Sequence, residues 1–232
     1  MPLLVGPTGK TITKMTRMKK TNMCTIAALL IALFAHSQPS AEARALLDKT
    51  YAAVEASKGI RLTFRAATLG TDRSKQLSME GVAFIRGNKF RLETRNMIIW
   101  FDGTTQWVLM KEVNEVNISH PSGQEIASVS PLALLGIYQN GYTLKAPVTK
   151  TLNGKSVYLI GMVPAVGNGA YKAVEAAIDK ISHTLVQVTL TLRDGTKQVI
   201  ELSNYNANHN FTDSEFQFDK THYPHAEIID LR

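Results

Sequence analysis

Residues 81–107 read GVAFIRGNKFRLETRNMIIWFDGTTQW, with apolar side chains on alternate positions between turns marked by Gly87-Asn88 and Asp102-Gly103. A period of two is the pattern of strands that turn one face away from water. Counting alternate positions along the run puts Phe84, Phe90, Leu92, Ile98 and Trp100 on one face of a curved antiparallel sheet. Arg91, Glu93 and Arg95 then point the other way. The apolar face is either core or a binding surface, and the rest of the chain has to decide between them.

The same period extends in both directions. Ile60, Leu62 and Phe64 alternate with Arg61, Thr63 and Arg65, and strands are expected at 60–69, 76–86, 89–95, 97–102, 105–111 and 114–120. A second group is expected at 142–147, 155–163, 171–179, 184–193, 196–205 and 215–219, with Asn153-Gly154 and Asp194-Gly195 as hairpin turns. Upstream, residues 41–58 carry Leu47, Tyr51 and Val54 at i, i+4 and i+7, a narrow apolar stripe on a helix that Gly59 is placed to end. Between the two strand groups, Ser130-Pro131 leads into Leu132, Leu134, Leu135, Ile137 and Tyr138, and Asn140-Gly141 follows. Ser as cap, Pro in the first turn and Gly at the stop spell a short helix. It is apolar almost all round, so it has to be buried on more than one side, across the greasy face of the sheet.

The start of the chain is of another kind. From Met18, read as the true start, two lysines precede an apolar stretch at 23–35 and small residues around Ser37, the pattern of a secretory signal. The stretch is shorter than the roughly 20 residues a spanning helix needs. Residues 1–37 are therefore expected to be leader and signal peptide, removed on export, and 38–232 to form one domain. Removal takes Lys10, Lys14, Arg17, Lys19 and Lys20 and no acid, so the 26 basic residues fall to 21 against 19 acidic ones. A chain so close to neutral lacks the basic footprint that nucleic acid requires. The one cysteine, Cys24, goes with the signal, leaving no thiol for disulfide, metal or nucleophile.

No reactive motif stands out. G-x-S-x-G, G-x-x-x-x-G-K-[ST] and H-E-x-x-H are all missing, and carboxylates such as Glu93, Glu112, Glu115 and Asp194 are scattered singly. Asp219, His222 and His225 have a loose spacing broken by Pro224, so no metal and no other cofactor is expected. What remains is non-covalent binding of a ligand with hydrocarbon chains. Each buried methylene contributes about 0.8 kcal/mol, so a covered acyl chain needs no reactive group to be held.

The run FIRGNKFRLE followed by WFDGTTQW resembles the LolA family of periplasmic carriers that shuttle lipoproteins from the inner to the outer membrane of Gram-negative bacteria. The resemblance extends more weakly to the N-terminal helix, to SPLALLGIY at 130–138 and to FQFDKTHYPHAEIIDLR at 216–232. It implies a mainly β, α+β fold: one antiparallel half-barrel of about 10–12 strands, with an N-terminal helix and a short helical lid over the concave apolar face. It further implies a monomeric, non-enzymatic periplasmic protein that shields acyl chains of lipoproteins, loaded by an inner-membrane lipoprotein-releasing ABC transporter and unloaded to an outer-membrane receptor or the outer membrane itself. Position by position, Arg86 matches the family arginine that latches the lid, Phe90 and Leu92 match the concave wall, and residues 131–135, from Pro131, match the lid. The cargo contacts expected are Phe64, Phe84, Phe90, Leu92, Ile98 and Trp100, with Leu132 and Leu135 from the lid. Gly87 departs from the family, which usually has proline after the arginine. A carrier of free lipid, a lipoprotein-sensing module and, outside the binding class, a periplasmic hydrolase are the alternatives.

Overall fold

The computed structural model describes residues 39–70, 75–123, 125–126, 136–139, 141–166 and 171–232. The expected signal segment and the lid residues Pro131, Leu132 and Leu135 lie outside the described residues. Helix α1 (Pro39–Glu55) is followed by β1 (Ile60–Leu69), β2 (Lys75–Arg86), β3 (Lys89–Thr94), β4 (Met97–Phe101), β5 (Gln106–Met110) and β6 (Glu115–Ser119). The second group is β7 (Tyr142–Leu144), β8 (Val148–Leu152), β9 (Lys155–Pro164), β10 (Tyr171–Asp179), β11 (Leu185–Leu192) and β12 (Lys197–Asn206), and β13 (Glu227–Asp230) closes the chain. They form one open sheet in the order β13-β6-β5-β4-β3-β2-β1-β12-β11-β10-β9-β7, with β8 also paired to β9. The sheet is not closed into a barrel, and the helix packs on one of its faces, as the half-barrel expectation requires.

Three elements differ from the sequence reading. The strand expected at 142–147 stops at Leu144, short of Pro147, which has no N–H for the ladder, and β8, beginning at Val148, is a strand the sequence reading did not include; β7 and β8 each take a different stretch of β9. Residues 215–219 are not a strand, since Asp213–Phe216 form a 3-10 turn. The closing strand is instead β13, which pairs with β6 in parallel, so the sheet is not wholly antiparallel. Helix α1 also stops at Glu55, before Gly59. Gly59 has a different duty: a Cβ there would stand 2.5 Å from the Phe211 ring and 2.6 Å from the His209 carbonyl oxygen.

Side-chain direction follows from the turns. Hairpins with two-residue loops pair residues whose numbers have an odd sum, so Ile85 lies opposite Phe90 and Phe90 opposite Phe101. Even-numbered positions on one strand therefore share a face with odd-numbered ones on the next. The inner face carries Ile60, Leu62, Phe64, Ile85, Phe90, Leu92, Ile99 and Phe101, in one cluster with Ala43 and Leu47 of α1. Ile98 and Trp100 belong to a second cluster on the outer face with Leu109, Val116, Ile118 and Ala226. The expectation that Phe84, Ile98 and Trp100 share the face of Phe90 is thus corrected; it carried one parity through two turns that each reverse it.

Helix α1 is fixed over the inner face by its buried stripe. Ala43 and Leu47 are fully buried, and Thr50 on the same stripe donates to the His183 carbonyl at 3.1 Å, pinning the helix to the β10–β11 turn. Tyr138, 1% exposed, donates its hydroxyl to Asp48 of α1. Burial, then this bond, pushes its phenol up to about 12.

Candidate binding cavity

Where the C-terminal end of α1 passes over the tips of β2–β4, the inner face is not filled. A cavity of about 340 Å³ lies there, walled by Ile85, Phe90 and Phe101 from the sheet, by Tyr51, Val54 and Glu55 from the helix, and by Ile126 and Gly136. Its rim is formed by Gly87 and Asn88 from the turn after β2, Lys89 at the start of β3 and Gly103 from the turn after β4. The volume is at the small end of the roughly 300–1,000 Å³ range of ligand sites. Phe90 and Phe101 form its floor, with ring centroids 5.2 Å apart and both residues 3% exposed.

The turns at the rim are built from the residues such turns require. Gly87 has φ of +59° and stands first in a two-residue loop, where glycine is favoured in the tight turns that suit hairpin twist. A proline, fixed near −65°, cannot take that conformation, so the departure from the family pattern at Gly87 changes the turn itself. Asp102 Oδ1 accepts from the N–H of Thr104 and of Thr105, at 3.0 and 2.9 Å, shaping the second rim turn.

The polar groups at the cavity are few. Tyr51 hydrogen-bonds the Glu55 carboxylate; burial first, then that bond, raises its phenol above the ordinary value. Lys89 borders the cavity, while its ammonium is 2.6 Å from Asp213 on the other side of the sheet. The described residues lining the cavity include no Ser, Thr, Cys or His. Nor, among them, is any group of three His, Cys, Asp or Glu side chains placed to hold a metal, and Asp219 accepts from the Thr221 N–H at 2.8 Å. No described helix is long and apolar enough to cross a membrane.

Of the residues singled out in the sequence, Phe90 lines the cavity. Phe64 and Leu92 share its face but sit in the packed core, each 3% exposed. Phe84 stands on the outer face beneath Arg91, whose guanidinium is 4.2 Å from the ring centroid, with Phe211 edge-on at 5.8 Å. Trp100 is also outside, edge-on to Phe218 at 5.7 Å and Tyr223 at 5.8 Å, and Ile98 lies in the same outer cluster. Arg86 faces outward too: it donates to the Phe211 carbonyl, pairs with Asp213 and lies 5.5 Å from the Phe216 ring centroid. Its described contacts are thus to the C-terminal segment. Ile85, Phe101, Val54 and Glu55 are cavity residues that the sequence reading missed, and applying the parity reversal at two-residue turns would have found Ile85 and Phe101.

Residues 32–196 match the family model described as outer membrane lipoprotein carrier protein LolA. No curated protein matches the sequence. Among solved structures, an uncharacterized conserved protein from Thermus thermophilus is 12% identical with a TM-score of 0.56, over 82% of this chain and 99% of that one, a likeness of fold. A LolA superfamily protein from Nitrosomonas europaea is 13% identical with a TM-score of 0.42, over 76% of this chain and 98% of that one. The lipoprotein LppX from Mycobacterium tuberculosis is 17% identical with a TM-score of 0.40, over 73% of this chain and 99% of that one.

Proposed function

We propose, since the chain belongs to the outer membrane lipoprotein carrier protein LolA family, that it is a non-enzymatic periplasmic carrier holding acyl chains of lipoproteins between its sheet and helix α1. The observation that carries this reading is the apolar cavity of about 340 Å³ over Phe90 and Phe101, beneath the end of α1. An acyl chain entering it trades water for the side chains of Ile85, Phe90, Phe101 and Val54, at about 0.8 kcal/mol for each methylene covered. No bond has to form or break for such a ligand to be held. The signal pattern ahead of Ser37 supports export, with an inner-membrane lipoprotein-releasing ABC transporter as the loading partner and an outer-membrane receptor, or that membrane itself, as the destination.

An acyl-chain fluorophore whose emission shifts on leaving water tests the cavity. The mature protein, residues 38–232, should bind and shift it, and Phe90→Glu should abolish the shift by placing a carboxylate against the acyl chain. Phe90→Leu keeps an apolar wall and should retain most of the binding, which separates loss of the site from loss of the fold. Failure of the wild-type protein to shift the probe sinks the carrier reading. Mass spectrometry of the protein taken from its own cells should find acylated protein bound to it.

A further inference from the structure

The sheet ends at β13, which among the described residues is paired on one side only, with β6. The N–H groups of Glu227 and Leu231 donate to the carbonyls of Asn114 and Ile118 at 3.0 and 2.8 Å. Backbone groups alternate in direction along a strand, so those of Ile228 and Asp230 point away from β6. Of seven exposed large apolar side chains among the described residues, four gather at this edge: Met110, Val113, Ile228 and Leu231, the last 64% exposed. An apolar strand edge with free backbone groups is a template for one more strand.

Charge decides which strand fits. In the β6–β13 register Glu227 stands beside Glu115, two acids side by side on strands about 4.8 Å apart. Like charges so placed repel, and neither carboxylate has a cation partner among the described residues; Glu115 accepts from the Asn117 amide at 2.8 Å. The cations close by are engaged elsewhere, Arg232 by Asp230 at 2.8 Å and Lys111 by the Thr94 carbonyl at 2.7 Å. Two copies of this chain meeting edge to edge would crowd the same carboxylates together, which disfavours self-pairing. A strand of opposite sign relieves the repulsion instead.

We infer that the open side of β13 takes up, as an added strand, an extended basic segment of another polypeptide. Its Lys or Arg lies against Glu227 and Glu115 on one face of the sheet. Its apolar side chains lie beside Ile228 on the other face, next to Val116 of the outer cluster. The free N–H and C=O groups of Ile228 and Asp230 complete the ladder. β13 lies three strands beyond β4, the last strand to line the cavity, so this surface stands apart from the acyl-chain reading.

Fluorescently labelled peptides of about eight residues, a usual strand length, test this on the mature protein by anisotropy. The probes are alternating Lys-Val, alternating Glu-Val, and alternating Lys-Pro, which keeps the charge but cannot join a ladder. Lys-Val should bind at least about tenfold tighter than either of the others, and its binding should shift the amide NMR signals of Ile228 and Asp230. Glu227→Gln should weaken Lys-Val binding by about threefold or more. Ile228→Pro removes an N–H that β6 does not use and should abolish the binding; should that variant fail to fold, the exposed Glu227→Gln substitution and the Lys-Pro probe still decide. Equal binding of Lys-Val and Glu-Val, or of Lys-Val and Lys-Pro, overturns the inference, as do shifts confined to the opposite edge at β7–β9. Displacement of the acyl fluorophore by Lys-Val would place the peptide in the cavity and overturn it too. A dimer in light scattering that Ile228→Pro dissociates would give the edge to a second copy of this chain and not to a basic partner.

Discussion

Arg86 in β2 and Asp213 in the C-terminal segment form an ion pair across the outer face of the sheet, and Lys89 reaches the same carboxylate at 2.6 Å. The segment that they hold runs over the face opposite the cavity. Phe211 lies edge-on to Phe84 and Phe216, and Phe216 is fully buried with Arg86 over its ring. The curved sheet is thus covered twice, by α1 inside and by the chain's own C-terminal segment outside.

Arg86→Leu should therefore act on that outer cover. It removes a donor to the Phe211 carbonyl, one ion pair and a cation–ring contact. The Asp213 side chain is 66% exposed, so the ion pair itself counts for little, and the loss should total about 1–2 kcal/mol in urea denaturation. Affinity for the acyl fluorophore should stay within about twofold, as Arg86 faces away from the cavity. The opposite pattern, unchanged stability with several-fold altered binding or release, would restore to Arg86 the latch role that the family resemblance implies.

Trp100→Ala should release the end of the chain more severely. The indole is 5% exposed and touches Phe218 and Tyr223, which lead directly to β13. Truncating a buried aromatic of this size costs about 3–5 kcal/mol, and the loss should be concentrated where those rings lose their partner. Limited proteolysis followed by mass measurement should show early cuts within residues 207–226 in the variant and not in the wild-type protein. Cuts spread evenly over the chain would mean that Trp100 supports the whole sheet.

Much of this architecture is legible in the residues. The alternation from Ile60 to Phe64 and across residues 81–107 is a local property of the chain, so strands and the principal turns follow from it. What alternation does not carry is the relation between strands. Phe90 and Phe101 share a face because each intervening loop reverses parity, and a count that runs straight through the turns sends Trp100 inside when it is outside. Contacts between distant segments are harder still. Glu55 reaches the cavity only because α1 ends over the β2–β4 tips, and Arg86 meets Asp213 across 127 positions of chain. Neither pairing leaves a mark in spacing or period.

Gly81 offers a local test of the sheet's close packing. A Cβ on it would stand 2.1 Å from the Glu93 carbonyl oxygen on β3 and 3.1 Å from the Phe64 ring. The backbone of β3 would have to move, so Gly81→Ala should cost about 2–3 kcal/mol. Gly87→Ala has open space around it and strains only a φ of +59°, for about 1 kcal/mol. Thermal denaturation of the two variants should rank them in that order, and equal midpoints would show that β2 and β3 can separate at Gly81 without loss.

Asp179 gives a pH dependence whose direction is set by geometry. Its Oδ1 accepts from the N–H groups of Ile181 at 2.8 Å and Ser182 at 2.9 Å, and the residue is 7% exposed. The bond from Ser182 outweighs the opposing effect of burial, Ile181 adds to it, and the carboxyl is held below its ordinary value. The folded state thus prefers the charged form more than the unfolded chain does. The stability this contributes is fully present above the unfolded value of about 3.9 and is lost as pH falls through the lower folded value. Asp179→Asn keeps an acceptor oxygen at the turn but cannot titrate, so it should be less stable than wild type near pH 6. Urea midpoints of the two proteins should then converge as pH drops from about 5 toward 2. Asp219 and Asp230 are also depressed, but they titrate alike in both proteins and cancel in the difference. A gap that stays constant over this range would mean that Asp179 shapes the turn as an acceptor alone, with its charge contributing nothing.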